Sequence, residues 1–314
     1  MQLLRSGDPN TRIHELSPTQ ILDLKGFPSY LLGSSAKIEK SKEIGVLSRV
    51  LYFTPGIFCS AADTGCLLAC LGHTSGRMGL PDSFTARDKR SAFFLKHEDA
   101  FIERLKAEIH LLKADSLLHG LRPAVRLNGS SDLAWERRFP EVFQQFPDVE
   151  FYDYTKIFPR AMQALGARPS SVPWPENYRL TYSAGSDDRL ARQVLESGGT
   201  VAVVFHPNIP SSWLGAQVLD GDVHDVRYLD PGGSVVGLKA KGIAKVDVTG
   251  FTRRPCPDCG PEHELQFLLG IRRDGTVRTK HSCDRCRSEL EASIRDPYRN
   301  RLLPDQSAHQ GMGL

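Results

Sequence analysis

The sequence predicts an α/β chain: a partial or complete parallel (βα) barrel of about six strands, with a small separate unit at its C-terminal end. Three observations predict it. Short apolar runs alternate with amphipathic stretches from residue 45 to residue 230. The links between them are short, which favours parallel strands joined by right-handed crossovers. Paired cysteines and the surplus positive charge then collect after residue 250.

Residues 1–36 show no period and read as an N-terminal arm. Residues 45–53 (GVLSRVLYF) read as the first strand. Residues 83–120 read as helix, with Phe101, Leu105, Ile109 and Leu112 on one stripe and Gly120 as its stop. Strand 123–127, helix 132–146, strand 149–155, helix 157–165, strand 177–183, helix 187–197 and strand 200–206 follow. Residues 225–230 (DVRYLD) supply a sixth strand. The expected layout is an arm at 1–36, a barrel at 37–250, a ribbon at 251–303 and a disordered tail at 304–314.

Several classes are excluded or disfavoured. The chain of 314 residues is 40% hydrophobic and 25% charged, which is ordinary globular composition. No apolar run is long enough for a membrane helix, and the first residues lack a secretory core, so the expectation is a cytoplasmic protein without a membrane partner. GxGxxG, GxxxxGK[ST] and GxSxG are absent, which disfavours a dinucleotide fold, a P-loop and a nucleophile elbow. Net charge is +3, and residues 251–303, with eleven Lys/Arg against eight Asp/Glu, hold all of it. Such a surplus permits contact with DNA, RNA or a nucleotide.

The seven cysteines form two groups. Cys256, Cys259, Cys283 and Cys286 make a CxxC…CxxC set with 23 residues between the pairs. Two such turns complete a tetrahedral zinc site. Strand-like residues 264–273 and 276–282 flank Asp274-Gly275, a favoured hairpin turn. The C-terminal unit is therefore expected to be a zinc ribbon that folds with its metal. Arg272, Arg273, Arg278, Lys280, Arg285 and Arg287 would face a phosphate backbone or simply water.

Cys59, Cys66 and Cys70 have the spacing C-x6-C-x3-C. Three close thiolates hold three irons of a [4Fe–4S] cube and leave one iron open. A Cys₃His zinc site with His73 and plain buried cysteines are the alternatives. The loop follows strand one, and in βα barrels chemistry sits at the carboxyl ends of strands. Asn128–Asp132, Tyr154–Lys156, Tyr182–Ser183, His206 and Asp230 end the other five strands.

This layout resembles the radical S-adenosylmethionine (SAM) superfamily, whose cluster loop follows the first strand of a six-strand partial barrel. The usual spacing there is C-x3-C-x2-C. The resemblance implies a [4Fe–4S] cluster on Cys59, Cys66 and Cys70, SAM on its open iron, an electron donor, and a 5′-deoxyadenosyl radical as the reactive species. RLNGSSD stands where the superfamily binds the methionine amino group, so Asn128, Gly129, Ser130, Ser131 and Asp132 would meet SAM, and Ser183 its ribose. Lys156, His206 and Asp230 are the catalytic candidates. More closely, KSKEIGVLSRVLYF, GCLLACL, PAVRLNGSSDLAWE, FPDVEFYDYTK, NYRLTYS, VAVVF and VRYLDPGGSVVGLKAKG are similar to the bacteriophage "gene product 88" family. That resemblance implies a phage or prophage origin, and so the host cytoplasm.

Each residue also has a plainer reading. Ser131 or Asp132 could cap the next helix, Lys156 could be a surface lysine, and Ser183 and His206 could end strands. Asp220, Asp222, Asp225 and Asp230 could be turn caps rather than a metal or base cluster. Lys239, Lys241 and Lys245 could be a solvated face rather than a phosphate site. Three functions remain: a radical SAM enzyme acting on a nucleic acid or nucleotide, a zinc-dependent nucleic-acid-binding protein, and a transglycosylase-like barrel enzyme with structural cysteines.

Overall fold

The computed structural model describes residues 27–74, 76–247 and 249–256, and the strands Gly260–Glu264, Gln266–Ile271 and Val277–Ser282. The chain divides into two units between Arg253 and Arg254.

The first unit begins with a short edge strand, β1 (Leu32–Gly33), and helix α1 (Ala36–Glu39). The apolar runs predicted as strands then form β2 (Val46–Leu51), β3 (Arg122–Arg126), β4 (Glu150–Thr155), β5 (Tyr178–Ser183) and β6 (Thr200–Phe205). After them come β7 (Ser212–Trp213), β8 (Ala216–Asp220), β9 (Val235–Lys239) and β10 (Thr252–Arg253). The sheet order is β1-β2-β3-β4-β5-β6-β9-β8-β7, with β10 beside the end of β6. From β2 across to β8 every pair is parallel, and only the outermost pairs are antiparallel.

Of the partial or complete barrel expected, the complete form is corrected: the sheet is not closed. A second expectation about the sheet is corrected as well. Residues 225–230 are not its sixth strand: they form a turn with a 3-10 segment at Arg227–Leu229, and β9 takes the sixth place. The period-2 pattern of Val226 and Tyr228 is real, but it packs these side chains onto Val46, Ala124 and Tyr152 rather than into a ladder.

The sheet nevertheless curls. Lys37, ahead of β2, reaches Asp225 at 3.0 Å, and Lys40 donates to the Asp222 carbonyl at 3.4 Å. Ala69, beyond β2, packs with Ala240 and Ala244, beyond β9. These strands stand five places apart, roughly 24 Å on a flat sheet. Strand twist bends the sheet into an open trough whose gap residues 221–230 fill.

The convex face is covered by helices. Those preceding β3 are α2 (Thr64–Leu68), α3 (Leu71–Thr74), α4 (Pro81–Lys96) and α5 (Glu98–Leu118). The stripe Phe101, Leu105, Ile109 and Leu112 packs on Leu47, Leu51, Val125 and Phe151 as its period predicts. His97 leaves helical geometry (φ −142°) and divides the expected helix 83–120 into α4 and α5. Pro140 likewise divides helix 132–146 into α6 (Trp135–Arg138) and α7 (Pro140–Gln145), because the residue before proline avoids the helical region. Helices α8 (Phe158–Ala164) and α9 (Asp188–Glu196) complete the layer.

The second unit holds β11 (Pro255–Cys256) paired with β12 (Gly260–Glu264), and a hairpin of β13 (Gln266–Ile271) and β14 (Val277–Ser282). The hairpin falls where the alternation predicts it. Cys256 is buried. Cys259, Cys283, Cys286, Arg272, Arg273, Arg285, Arg287 and the turn Asp274-Gly275 lie outside the described residues, as do 1–26 and 304–314.

Candidate functional site at the carboxyl mouth of the trough

The polypeptide leaves β2 into a loop that bends back over the carboxyl ends of the strands. The Thr54 N–H donates to Ser91 Oγ at 2.9 Å, and the Thr54 hydroxyl donates to Asp88 at 2.7 Å, both on α4. Phe58 packs edge-on against Phe53 (4.9 Å) and Phe94 (5.5 Å). The Asp132 N–H donates to the Phe58 carbonyl at 2.8 Å. Asp63 then caps α2 by accepting from the Cys66 N–H at 2.7 Å. The three cysteines sit on this anchored loop and its helix.

Cys59, Cys66 and Cys70 are half-buried and are not in disulfides. Cys59 Sγ lies 3.6 Å from the Ser130 carbonyl, to which it donates. Burial pushes the Cys59 and Cys66 thiols up to about 11, and negative charge on Cys70 raises Cys59 further, as charge on Cys59 raises Cys66. The sulfurs thus share one electrostatic neighbourhood. Among the described residues no three His, Cys, Asp or Glu side chains form a metal-holding group. As placed, the three sulfurs do not form such a group, and loading them would require the sulfurs to draw together and lose their protons. The His73 side chain lies outside the described residues.

The loop packs closely on the other strand ends, and glycines make this possible. A Cβ on Gly65 would stand 2.1 Å from Thr249 Oγ1 and 2.6 Å from Phe251 Cβ, and one on Gly185 would stand 2.9 Å from Asp63 Oδ2. Lys156, at the end of β4, fixes the same junction. Its ammonium donates to the Ala184 carbonyl at 3.1 Å, pairs with Asp63 at 3.6 Å, and stands 5.1 Å over the Phe251 ring. Lys156 is therefore no loose surface lysine, and its charge favours the thiolate of Cys66.

The run Asn128–Asp132 reaches the mouth as expected but spends its polar groups within the protein. Asn128 Oδ1 accepts from Ser131, the Leu133 N–H and Trp135 at 2.8, 2.9 and 3.3 Å. Its backbone N–H and Nδ2 donate to Asp153 at 2.6 and 3.3 Å. Ser130 Oγ donates to the Phe53 carbonyl at 2.5 Å. Gly129 lies against β2, where a Cβ would meet Val50, Tyr52 and the Leu51 carbonyl at 2.5–2.7 Å. Asp132 accepts from Arg160 (2.8 Å), the Lys156 N–H (2.8 Å) and Thr155 (3.1 Å). Neither Ser131 nor Asp132 caps a helix, since α6 starts only after Ala134. Ser183 is half-buried at the end of β5, and its carbonyl accepts from Lys156 at 3.5 Å.

His206 follows β6 at the carboxyl ends of the strands, and its backbone N–H donates to the Arg253 carbonyl at 2.9 Å. Asp230 leaves the 3-10 turn, not a strand end, and pairs with Arg227 at 3.2 Å. Asp225 binds Lys37 and Arg126 at 3.0 and 2.9 Å, and Asp222 binds Lys241 at 3.0 Å. The aspartates thus form separate ion pairs rather than one acidic patch, and the metal or base cluster considered from sequence does not assemble. A cavity of about 550 Å³ lined by Leu32, Arg49, Arg104, Glu108, Leu111 and Asp115 lies on the helix-covered face, away from the thiols. Glu108 there accepts from the backbone of Leu31 and Leu32.

Sequence reasoning missed the contribution of α4. Arg87, Asp88, Arg90 and Ser91 are buried beside Phe93 and Phe94. The available signal was polar residues placed where the aromatic stripe requires a buried face.

No helix among the described residues is long and apolar enough to cross a membrane. No curated protein and no solved structure matches this chain. A family model does match, and it covers residues 31–287, which include both cysteine loops and all of the curled sheet. On that match the chain belongs to the Gene product 88 family.

Proposed function

We propose that this chain is an iron–sulfur, SAM-dependent radical enzyme of phage type, with its cluster on Cys59, Cys66 and Cys70 and with a nucleic acid or nucleotide as substrate. One observation carries the reading: three half-buried thiols on a loop that follows the first parallel strand and lies over the mouth of a sequentially ordered, curled sheet. A cluster of this kind, once reduced, supplies the single electron that cleaves the sulfonium of SAM.

The protein's own residues bind and orient. Asp63 holds the turn that carries Cys66, and Lys156 fixes that turn to the ends of β4 and β5 while placing a cation at the mouth. The half-buried Ser183 hydroxyl is the candidate contact to a ribose. The Asn128–Asp132 run supports the loop from below instead of reaching outward. His206 follows β6 at the carboxyl ends of the strands and stays a catalytic candidate, as does Lys156, whereas Asp230 is paired with Arg227 in the 3-10 turn.

The second unit is proposed to be a zinc ribbon on Cys256, Cys259, Cys283 and Cys286. A buried Cys256 at the corner between β11 and β12, next to a regular hairpin, supports it. Its basic residues would bring in the nucleic acid.

The test is anaerobic incubation of reconstituted protein with SAM and dithionite. Formation of 5′-deoxyadenosine and methionine, lost in Cys59→Ala, Cys66→Ala and Cys70→Ala, is expected. A well-loaded protein that leaves SAM intact under these conditions would overturn the radical reading.

A further inference from the structure

Below its mouth, the concave face of the trough carries polar groups that the fold does not use. Side chains alternate along a strand. Leu51, Val125 and Phe151 therefore point to the helices, where they are buried in the core. Tyr52, Arg126 and Tyr154, each one position on, point into the trough and stay only half-buried. Accessible space is thus left on the inner side, above the filling segment 221–230. Lys156 lies two residues beyond Tyr154 on the same face, roughly 7 Å nearer the mouth.

Arg126 donates to Asp225 through Nη1 at 2.9 Å, and its guanidinium carbon stands 4.6 Å over the Tyr154 ring. Its Nε is buried without a hydrogen-bond partner, and so are the Tyr154 hydroxyl and Arg227 Nε. The other nitrogens of Arg227 hold Asp230 and His224. Burial raises the Tyr154 hydroxyl, and Asp225, Arg227 and Arg126 all act on it, so the three unused donors share one neighbourhood. Lys37 reaches the same Asp225 at 3.0 Å, so two cations share that carboxylate. A buried donor without an acceptor costs stability. Phenylalanine at 154 would fill the same space without that cost, so the hydroxyl serves nothing in the fold itself.

Donors gathered in this way suit a ligand rich in acceptors. Two guanidinium nitrogens and a phenol, with an ammonium close by, match the oxygens of a phosphate group. We propose that the concave face at Arg126, Tyr154 and Arg227 binds the phosphate of a nucleotide, whose sugar extends past Lys156 toward Ser183 at the mouth. The choice of a nucleotide rests on the substrate reading above, whereas the site itself needs no metal at the cysteines.

The experiment is calorimetric titration of the full chain, without added iron, with uridine and adenosine monophosphates, their nucleosides and inorganic phosphate. Wild type should bind a monophosphate and neither nucleoside. Tyr154→Phe should weaken that binding about tenfold, as the loss of one hydrogen bond to a charged group does, and leave the urea midpoint unchanged or higher. Arg126→Gln should weaken it further. Tyr228→Phe is the control. Its hydroxyl is also buried without a partner, but Arg122 and Glu150 act on it, at the amino ends of β3 and β4. It should bind as wild type does. A wild type that binds neither monophosphate overturns the proposal and leaves these donors to ordered water. Wild-type affinity in Tyr154→Phe overturns it too, as does an equal loss in Tyr228→Phe. Inorganic phosphate bound as tightly as the monophosphates overturns the nucleotide assignment. Should Arg126→Gln fail to fold, Tyr154→Phe decides, since it removes only an unpartnered hydroxyl. Cleavage of SAM is read separately, so failure here leaves the radical reading standing.

Discussion

Gly129 leaves no room for a methyl group, because β2 passes within 2.5–2.7 Å of where a Cβ would lie. The residue looked like a ligand-binding glycine from its neighbours in sequence, and its cause is a backbone approach. Gly129→Ala should cost about 1–3 kcal/mol by overpacking, read as a lower urea midpoint with an unchanged slope. Asp153 makes the complementary point for charge. It is fully buried and accepts from Asn128 and, at 2.8 Å, from Tyr178. Burial pushes its carboxyl up to about 7 against the pull of Arg126. The folded protein therefore holds this proton more tightly than the unfolded chain, whose carboxyl titrates near 4. The stabilisation is complete below about pH 4 and is lost as pH rises through about 7. Wild type should lose its stability advantage over Asp153→Asn across that window and stay level above it, which denaturant curves at successive pH values will show. A widening advantage with rising pH would refute this. The sequence marked the polar run Asn128–Asp132 as special, and it does reach the mouth. Its internal partners were not legible, since Asp153 and Arg160 are distant in sequence.

Helix α6 shows the same limit at the scale of elements. Its start was expected at Ser131 or Asp132, by the cap rule. Arg160 on α8 instead draws Asp132 away, holds Glu136 through Nε and Nη2, and donates to Tyr178 at 2.8 Å. Tertiary demand on one carboxylate overrides local capping. Arg160→Met leaves Glu136 and Asp132 buried without their cation and should destabilise by about 3–5 kcal/mol, measurable by chemical denaturation. A cost below about 1 kcal/mol would mean that water replaces the guanidinium. The strand DVRYLD failed for a related reason. Its alternation is real, but Asp225 is claimed by Lys37 and Arg126, and the segment fills the trough instead of extending the sheet. Burial alone would raise the Asp225 carboxyl, yet Arg126 and Lys37 hold it below the usual range. Its contribution, opposite in sign to that of Asp153, is present at neutral pH and lost on acidification.

The whole molecule follows from strand order. Five parallel strands were readable because each is a compact apolar run between amphipathic helices, and sequential order makes the sheet curl. Closure was not readable, because it depends on which segment fills the gap. The curl brings the loop after β2 against the segment after β9 and to the ends of β4 and β5. That meeting leaves the three thiols half-buried on one anchored loop and its helix. The second unit adds a proposed grip on nucleic acid. Retention of DNA or RNA on filters should fall steeply with salt, and removing zinc with a chelator should abolish it. Retention that ignores salt or zinc would separate the ribbon from substrate capture. The central claim concerns the first unit, and a metal and sulfide count on protein purified and reconstituted without oxygen tests it most directly. The account predicts about four iron and four sulfide per chain, with one zinc, and loss of the iron in Cys59→Ala, Cys66→Ala and Cys70→Ala with the zinc retained. Two zinc and no iron after reconstitution would contradict it.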